Sequence, residues 1–290
     1  MMAGEALSPR QVALAIGVSE ATVKRWCDRG LIETQRTAGG HRRILSASVM
    51  SYLRDHGQTS TRPELLGLPS AKGKAVRALE EGEVLLREAL EAGDAERVRR
   101  LLFDFHLAGH EVHELGDRVI APAFRALGER WQHRQLEIYQ ERHACEIVLR
   151  WIHELRGRLR APGSYAPLAI GGTPERDLYE IPNALVEVTL REQGWRAESL
   201  GCGMPLTTLA AAARRERPKL VWLSVSTLGR PKDFLAQYPS FYRSCSEAGA
   251  AVVIGGRAWT AELRRQVLFD GHAETLAHLV AFARTIRRGG

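Results

Sequence analysis

Hydrophobic and polar positions divide the chain into three patterns. Up to about residue 57, short amphipathic stretches alternate with polar turns. From about 75 to 160, apolar positions recur at helical spacing, and from 165 onward short apolar runs alternate with helical stretches. Residues 58–74 are rich in Ser, Thr, Pro and Gly, which is typical of a linker. We therefore predict domains at 1–57, 75–160 and 165–290, with a linker at 58–74.

The first segment has the pattern of a winged helix-turn-helix. A capping Ser followed by Pro at 8–9 begins a short helix that Gly17 ends, and a second helix is predicted over 20–28. The polar stretch 31–44 contains Gly39-Gly40 at its centre and predicts a two-stranded wing. Ser46 then caps a closing helix over 47–55.

The middle segment predicts an antiparallel four-helix bundle, because the connections between its helical stretches are short. The helices are expected at roughly 75–92, 94–108, 110–128 and 136–159, with a turn from Gly128 to Gln135. His106, His110 and His113 would share one helix face, so a metal site must be considered. Gly109 weakens that helix and no carboxylate or Cys completes a ligand set, so we favour polar-face or interhelical histidines.

The third segment alternates short apolar runs with helical stretches, which predicts a parallel sheet with crossover helices. Strands are expected at 168–170, 197–200, 220–225, 252–254 and about 269–273. Helices are expected at about 179–193, 206–216, 233–248, 260–267 and 273–287. The predicted fold is a flavodoxin-like, Rossmann-type doubly wound domain, with its ligand edge at the carboxyl ends of the strands.

Composition and charge indicate a binding partner and a cellular compartment. The 290 residues carry a net charge of +7, and six basic residues stand against two acidic ones between Lys24 and Arg43. That local excess suits contact with the phosphates of a duplex. Four scattered Cys indicate neither a disulfide framework nor a zinc site, and no apolar run reaches about 18 residues. We expect a cytoplasmic protein without a membrane partner.

The stretch VSEATVKRWCDRGLIETQRTAGGHRRI resembles the MerR/excisionase type of winged helix-turn-helix. The resemblance implies that the second helix enters the major groove of double-stranded DNA, where Ala21 is a further candidate contact, and that the wing follows the backbone. The predicted DNA-binding residues are Glu20, Thr22, Lys24, Arg25, Arg36, His41, Arg42 and Arg43.

The rest of the chain resembles the CarH/LitR class of cobalamin-dependent, light-responsive repressors. Trp131, nine residues and then Glu141 match its bundle motif, and LAIGGTPERDLYEIP matches the frame of its first strand and loop, with Asp177 as the acid. Leu200-Gly201, the Ser-x-Leu of Ser226 to Leu228, and Gly255-Gly256 follow in the expected order. The resemblance therefore covers nearly the whole chain.

The metal ligands of that class are missing. Tyr179 stands where the resemblance requires the cobalt-ligating His, Pro182 replaces a Gly, and Arg142 replaces the bundle His, with His143 one position later. A neutral phenol is a poor cobalt ligand, and a guanidinium has no free lone pair. In that class the cobalamin base threads into a channel beside the first helix of the α/β domain, and Pro182 would narrow this channel.

Three outcomes stay open for the ligand. The site holds cobalamin with its own base attached, or another tetrapyrrole such as haem or a bilin, or no ligand. For another tetrapyrrole, Arg142 would pair a carboxylate, and His143, Tyr179 or Cys202 would be available as ligands. The predicted pocket residues are Trp131, Glu141, Arg142, His143, Asp177, Tyr179, Cys202, Ser224, Ser226, Gly255 and Gly256.

The expected function is a DNA-binding transcriptional regulator that acts as a homo-oligomer and is not an enzyme. A change of oligomeric state, or of bundle packing, would alter how many DNA-binding heads engage an operator. One alternative is a ligand-free regulator or scaffold that works through protein contacts. A corrinoid methyl carrier is a remote alternative, since that chemistry needs the missing His and has no use for a helix-turn-helix.

Overall fold

The computed structural model describes residues 6–37, 40–56, 60, 62–66, 79–132 and 137–288. The chain divides into two compact units. One combines Met1–Glu111 with Arg118–Arg160, and the other combines Val112–Asp117 with Ala161–Gly290. Most of the predicted linker lies outside the described residues, and its described part includes a short 3-10 helix at Pro63–Leu66.

The first unit begins with the expected winged helix-turn-helix. Its elements are β1 (Ala6–Leu7), α1 (Pro9–Ile16), α2 (Glu20–Asp28), β2 (Thr34–Arg36), β3 (Arg42–Leu45) and α3 (Ser46–Asp55). Ser8 and Gln11 form a capping box at the start of α1, and Gly17 ends it with a φ of 80°. The three strands form an antiparallel sheet in the order β1-β3-β2. The sequence did not predict β1, because two residues are too few to show a period.

The same unit contains the helical bundle, formed by α4 (Leu79–Glu91), α5 (Ala95–Leu107), α7 (Ala121–Gln132) and α8 (Ile138–Arg158). Asp94 caps α5 by accepting a hydrogen bond from the Arg97 amide. Phe103 and Trp151 pack edge to face in the core, 5.9 Å apart. The turn predicted from Gly128 begins too early, since helix continues to Gln132. Residues 133–136 lie outside the described part of the chain.

An ion pair between α5 and α8 borders this core. The Glu154 carboxylate accepts hydrogen bonds from Nε and Nη2 of Arg99, both at 2.6 Å, and from Arg158. Burial alone would raise the pKa of Glu154, but the hydrogen bonds and charges of the two arginines outweigh burial and hold that pKa below its ordinary value.

The winged domain and the bundle contact each other within the first unit. Arg158 at the end of α8 donates a hydrogen bond to the Leu66 carbonyl, and the next basic residue, Arg160, pairs with Glu33 at 2.6 Å. Helix α3 packs on α8. The carboxyl end of α8 therefore holds the segment that leads into the wing.

The predicted helix over 110–128 contains a π-helical stretch. Its first part is the short helix α6 (Val112–Leu115), a π-helix follows at Gly116–Ile120, and only then does α7 begin. Residues 112–117 belong to the second unit because Asp117 accepts hydrogen bonds from the backbone amides of Leu276 and Ala277, at 2.8 and 2.9 Å. Asp117, within the π-helical stretch, thus caps the helix that begins at Leu276.

The second unit is built on a parallel sheet of β4 (Leu168–Gly172), β5 (Arg196–Ser199), β6 (Leu220–Ser224), β7 (Ala251–Gly255) and β8 (Gly271–Ala273). The strand order is β5-β4-β6-β7-β8, which is the predicted flavodoxin-like arrangement. Its helices are α9 (Glu180–Glu192), α10 (Leu206–Glu216), α11 (Pro231–Glu247), α12 (Ala261–Arg264) and α13 (Leu276–Arg288). Helix α12 is shorter than the predicted 260–267.

Alternate residues of the strands build two cores. Ile170, Val221 and Leu223 face α10 and α11, whereas Ala169 and Trp222 face α9 and α13. Because both faces of the sheet are covered, chemistry can occur only at its edges, and the carboxyl ends of β4, β6 and β7 meet at one of them. None of the helices described here is long and apolar enough to cross a bilayer.

Candidate DNA-binding surface and ligand site

Helix α2 presents a polar, exposed face. Ser19 caps it by accepting a hydrogen bond from the Thr22 amide, and Glu20 and Lys24 form an exposed ion pair at 2.9 Å. Arg25 extends from the same helix and donates to the Thr22 hydroxyl at 3.3 Å. Val23 is fully buried and fixes the helix on the domain core. The predicted contacts Glu20, Lys24 and Arg25 therefore lie together on an open surface.

The basic residues of the wing lie on different strand faces, because successive side chains of a strand point to opposite sides. Arg42 shares a strand face with Ile44, which is fully buried, whereas Arg43 points to the opposite face. Arg42 accordingly turns toward α2, where it pairs with Asp28 at 2.6 Å and donates to the Lys24 carbonyl at 3.2 Å. Arg36, His41 and Arg43 remain exposed.

The predicted ligand residues of the bundle lie at the start of α8. Glu141 is half-buried, and Arg142 and His143 are exposed. The imidazole of His143 lies against the turn between α4 and α5, about 3.5 Å from where a side chain of Gly93 would begin. Helix α7 includes Trp131, but the position of its side chain lies outside what the structure describes.

The three histidines considered for a metal site do not share a helix. His106 is on α5, which ends at Leu107, His110 lies in the following connection, and His113 is on α6. The prediction that the three histidines share one helix face was therefore wrong, because the helix ends before Gly109, which has a φ of 102°. Among the described residues, no group of three or more His, Cys, Asp or Glu side chains could hold a metal ion.

Asp177 organises the carboxyl edge of the sheet in the second unit. Its side chain is fully buried, and its Oδ2 accepts hydrogen bonds from the amides of Ser226 and Thr227 at 2.5 and 3.0 Å. Its Oδ1 accepts a third from the Tyr179 amide at 3.1 Å. These bonds tie the loop after β4 to the loop after β6, so Asp177 fixes where Tyr179 stands.

Tyr179 occupies the N-cap position of α9 and is 46% exposed. The guanidinium of Arg257, which follows β7, lies 4.8 Å from the centre of the Tyr179 ring. Cys202 lies nearby, with its sulfur 3.8 Å from the Tyr179 carbonyl, and burial raises the pKa of its thiol. Arg257 was not among the predicted pocket residues, although it directly follows Gly255-Gly256 in the sequence.

Glycines let the loops at this edge approach one another. Gly256 has a φ of 111°, and a side chain there would begin 2.3 Å from the Val225 carbonyl. A side chain on Gly255 would meet the Ala273 carbonyl at the same distance. Ser224 and Ser226 are buried beside them. The predicted residues Asp177, Tyr179, Cys202, Ser224, Ser226, Gly255 and Gly256 thus lie at one edge of the second unit.

The space beside α9 is filled by protein. Trp222 is buried with its indole directly on Gly171, so closely that a side chain on that glycine would begin 2.3 Å from a ring carbon. The indole N–H donates to Asn183 on α9 at 2.8 Å, and the Asn183 amide donates to Ser199 at 2.7 Å. Trp222, bonded to Asn183, therefore lies beside α9, where the resemblance to the CarH/LitR class places the channel for the cobalamin base.

Comparison with known proteins identifies two of the domains. Residues 6–57 match the helix-turn-helix domain family, and residues 85–156 match the B12 binding domain family. No curated protein sequence matches the chain. The chain thus carries a helix-turn-helix DNA-binding domain and a B12-binding domain, the combination that the resemblance to the CarH/LitR class implies.

Solved structures support the fold. The monomethylamine corrinoid protein of Methanosarcina barkeri is 16% identical with a TM-score of 0.59, and the match covers 71% of this chain and 99% of that one. A cobalamin-binding protein from Desulfitobacterium hafniense DCB-2 is 18% identical over 73% of this chain and 99% of its own, with a TM-score of 0.38. The first similarity confirms the bundle and α/β architecture, and the second is too weak to bear on it.

Proposed function

We propose that this protein is a DNA-binding transcriptional regulator whose C-terminal cobalamin-type module senses a tetrapyrrole-like ligand, or light absorbed by such a ligand, without His-ligated cobalamin. The helix-turn-helix domain supports the DNA-binding half of the proposal. The match of bundle residues 85–156 to the B12 binding domain family supports the sensory half. The observation that carries the proposal is the Tyr179 ring beneath Arg257, because the resemblance to the CarH/LitR class places the metal-ligating His at position 179.

The proposed mechanism is a ligand-dependent change in how many DNA-binding heads engage one operator. The protein acts as a homo-oligomer, and ligand binding biases either its assembly or the packing of the bundle. The contact between Arg160 and Glu33 at the base of the wing supports this route, because it joins the end of α8 to the DNA-binding domain. The protein has no catalytic role in this scheme.

The test begins by selecting a duplex from a random-sequence library on the purified protein. Binding of the selected duplex is then measured by fluorescence anisotropy with hydroxocobalamin, haemin or biliverdin added separately, in the dark and under light. We expect one ligand to change both the absorbance spectrum and the duplex affinity. The proposal fails if no duplex is enriched, or if no ligand alters duplex binding.

The same samples examine the two alternatives. A regulator that binds duplex while its spectrum is unchanged by every ligand would match the ligand-free scaffold. Transfer of a methyl group from methylcobalamin bound to the protein would instead favour the corrinoid methyl carrier. Light scattering of each sample after chromatography reports the oligomeric state on which the proposed mechanism depends.

A further inference from the structure

An apolar and aromatic surface is exposed at the carboxyl edge of the α/β sheet. Leu178 is 71% exposed and the adjacent Tyr179 is 46% exposed, although both follow the fully buried Asp177. The three hydrogen bonds that Asp177 accepts hold this segment in place. Two large, solvent-facing side chains on a fixed backbone are suited to packing against a flat, apolar molecule.

The guanidinium of Arg257 is fixed beside this surface by two contacts. Its Cζ lies over the Tyr179 ring, 4.8 Å from the ring centre, and its Nε donates to the Ser226 carbonyl at 3.1 Å. Ser226 is itself held, because its amide donates to Asp177. Within the part of the chain that the structure describes, the two terminal amino groups of Arg257 form no hydrogen bond or ion pair.

We propose that Tyr179 and Arg257 form a recognition site for a propionate-bearing tetrapyrrole, with a ligand carboxylate bound by the terminal amino groups of Arg257 and the macrocycle packed on Leu178 and Tyr179. This inference rests on the proposed function and names the ligand class and the residue that selects it. It assigns carboxylate recognition to Arg257, on the α/β unit.

The chemistry of the guanidinium selects the carboxylate. Two parallel N–H groups bind both oxygens of a carboxylate in a charge-assisted, bidentate pair, which a neutral amide cannot match. The side chains around a cobalamin macrocycle are amides, whereas haem and bilins carry two propionates. The contact with Tyr179 and the bond to the Ser226 carbonyl also restrain the guanidinium before the ligand arrives, which reduces the entropy lost on binding.

The experiment is an absorbance titration of the full chain with haemin and with biliverdin, each as the free diacid and as its dimethyl ester. Wild type is compared with Arg257→Ala, with Arg257→Lys and with Arg215→Ala as the matched control. Arg215 is an exposed arginine of the same unit that pairs with Glu216. Circular dichroism and urea unfolding verify that each variant remains folded.

We expect esterification to weaken binding to wild type by about ten- to a hundredfold, the range of one charge-assisted pair. Arg257→Ala should lose as much affinity for the diacid and should no longer distinguish diacid from ester. Arg257→Lys should retain only part of the wild-type affinity for the diacid, and the control Arg215→Ala should bind both forms as wild type does. The comparison of haemin with biliverdin separates a metal-bearing ligand from an open-chain one.

Several results would overturn the inference. It is wrong if neither diacid binds, if the esters bind wild type as tightly as the acids, or if Arg257→Ala leaves diacid affinity unchanged. Its failure is distinguishable from that of the proposed function. If cobalamin alters duplex affinity but no diacid binds, the proposed regulatory function holds and the Arg257 site does not. If a diacid binds through Arg257 without changing duplex affinity, the site holds and the regulatory function does not.

Discussion

Replacing Arg42 and Arg43 by Ala should weaken DNA binding in two different ways. Arg43 is exposed on the outer face of the wing, where it can neutralise a phosphate. The side chain of Arg42 is only 22% exposed, and its guanidinium is engaged by Asp28 and the Lys24 carbonyl. We therefore predict that Arg43 contributes charge to the interface, whereas Arg42 holds the wing on α2.

The dependence of affinity on salt separates these roles. Loss of one phosphate contact lowers the slope of log K against log [salt] by about 0.9. Between about 50 and 200 mM salt, the affinity of Arg43→Ala for the duplex should therefore fall by a factor that is about threefold to fourfold smaller than for wild type. Arg42→Ala should leave the slope unchanged. It should destabilise the winged domain by about 1–2 kcal/mol, from one partly exposed ion pair and one hydrogen bond to a carbonyl.

The assay is fluorescence anisotropy of the selected duplex at several KCl concentrations, with thermal unfolding of each variant. Asp28→Asn is the matched control, because it removes the same ion pair without removing a positive charge. It should leave the slope unchanged and cost less stability than Arg42→Ala, because the bond from Arg42 to the Lys24 carbonyl remains. A slope that falls by about 0.9 in Arg42→Ala would refute the reasoning, since Arg42 would then bind a phosphate.

Three further predictions concern stability and reactivity. Asp177→Asn should lower the free energy of unfolding of the α/β unit by about 2–4 kcal/mol in urea, because the Asn side chain has one oxygen and its N–H₂ must then face either the amides of Ser226 and Thr227 or the amide of Tyr179; a loss below about 1 kcal/mol would contradict this. Glu154→Gln should cost the bundle about 1–2 kcal/mol at pH 7. Because the folded-state pKa of Glu154 is lowered, its contribution is present above the unfolded value of about 4.3 and disappears as pH falls through the folded value, so the gap from wild type should close in acid. A gap that is constant down to about pH 3 would count against the Arg99 pair. Burial raises the pKa of Cys245 to about 12, so this thiol should react with Ellman's reagent at pH 8 only after unfolding; equal rates for native wild type and Cys245→Ala check this, and a fast phase lost in the variant would disprove it.

Local signals predicted the elements that have regular patterns. The capping Ser8, the φ of Gly17 and the buried Val23 produce the helix-turn-helix that the sequence suggested. Five strands and the order of their loops followed from alternating apolar runs, so the flavodoxin-like fold was confirmed. The sequence did not indicate the π-helical stretch at Gly116–Ile120 within the predicted third bundle helix, nor the cap that Asp117 supplies to α13, which joins residues 159 positions apart. No local window contains both partners.

The sequence by itself determined the domain types, the strand and helix periods, and the absence of His at position 179, because each depends on residues near one another in the chain. Only the tertiary structure decided what occupies the sheet edge. Trp222 is an ordinary strand residue in the sequence, and Arg257 an ordinary loop residue. Their contacts with Asn183 on α9 and with Tyr179 arise because parallel strands bring distant loops to one edge. Such contacts join residues that are far apart in the chain, so no local sequence pattern indicates them.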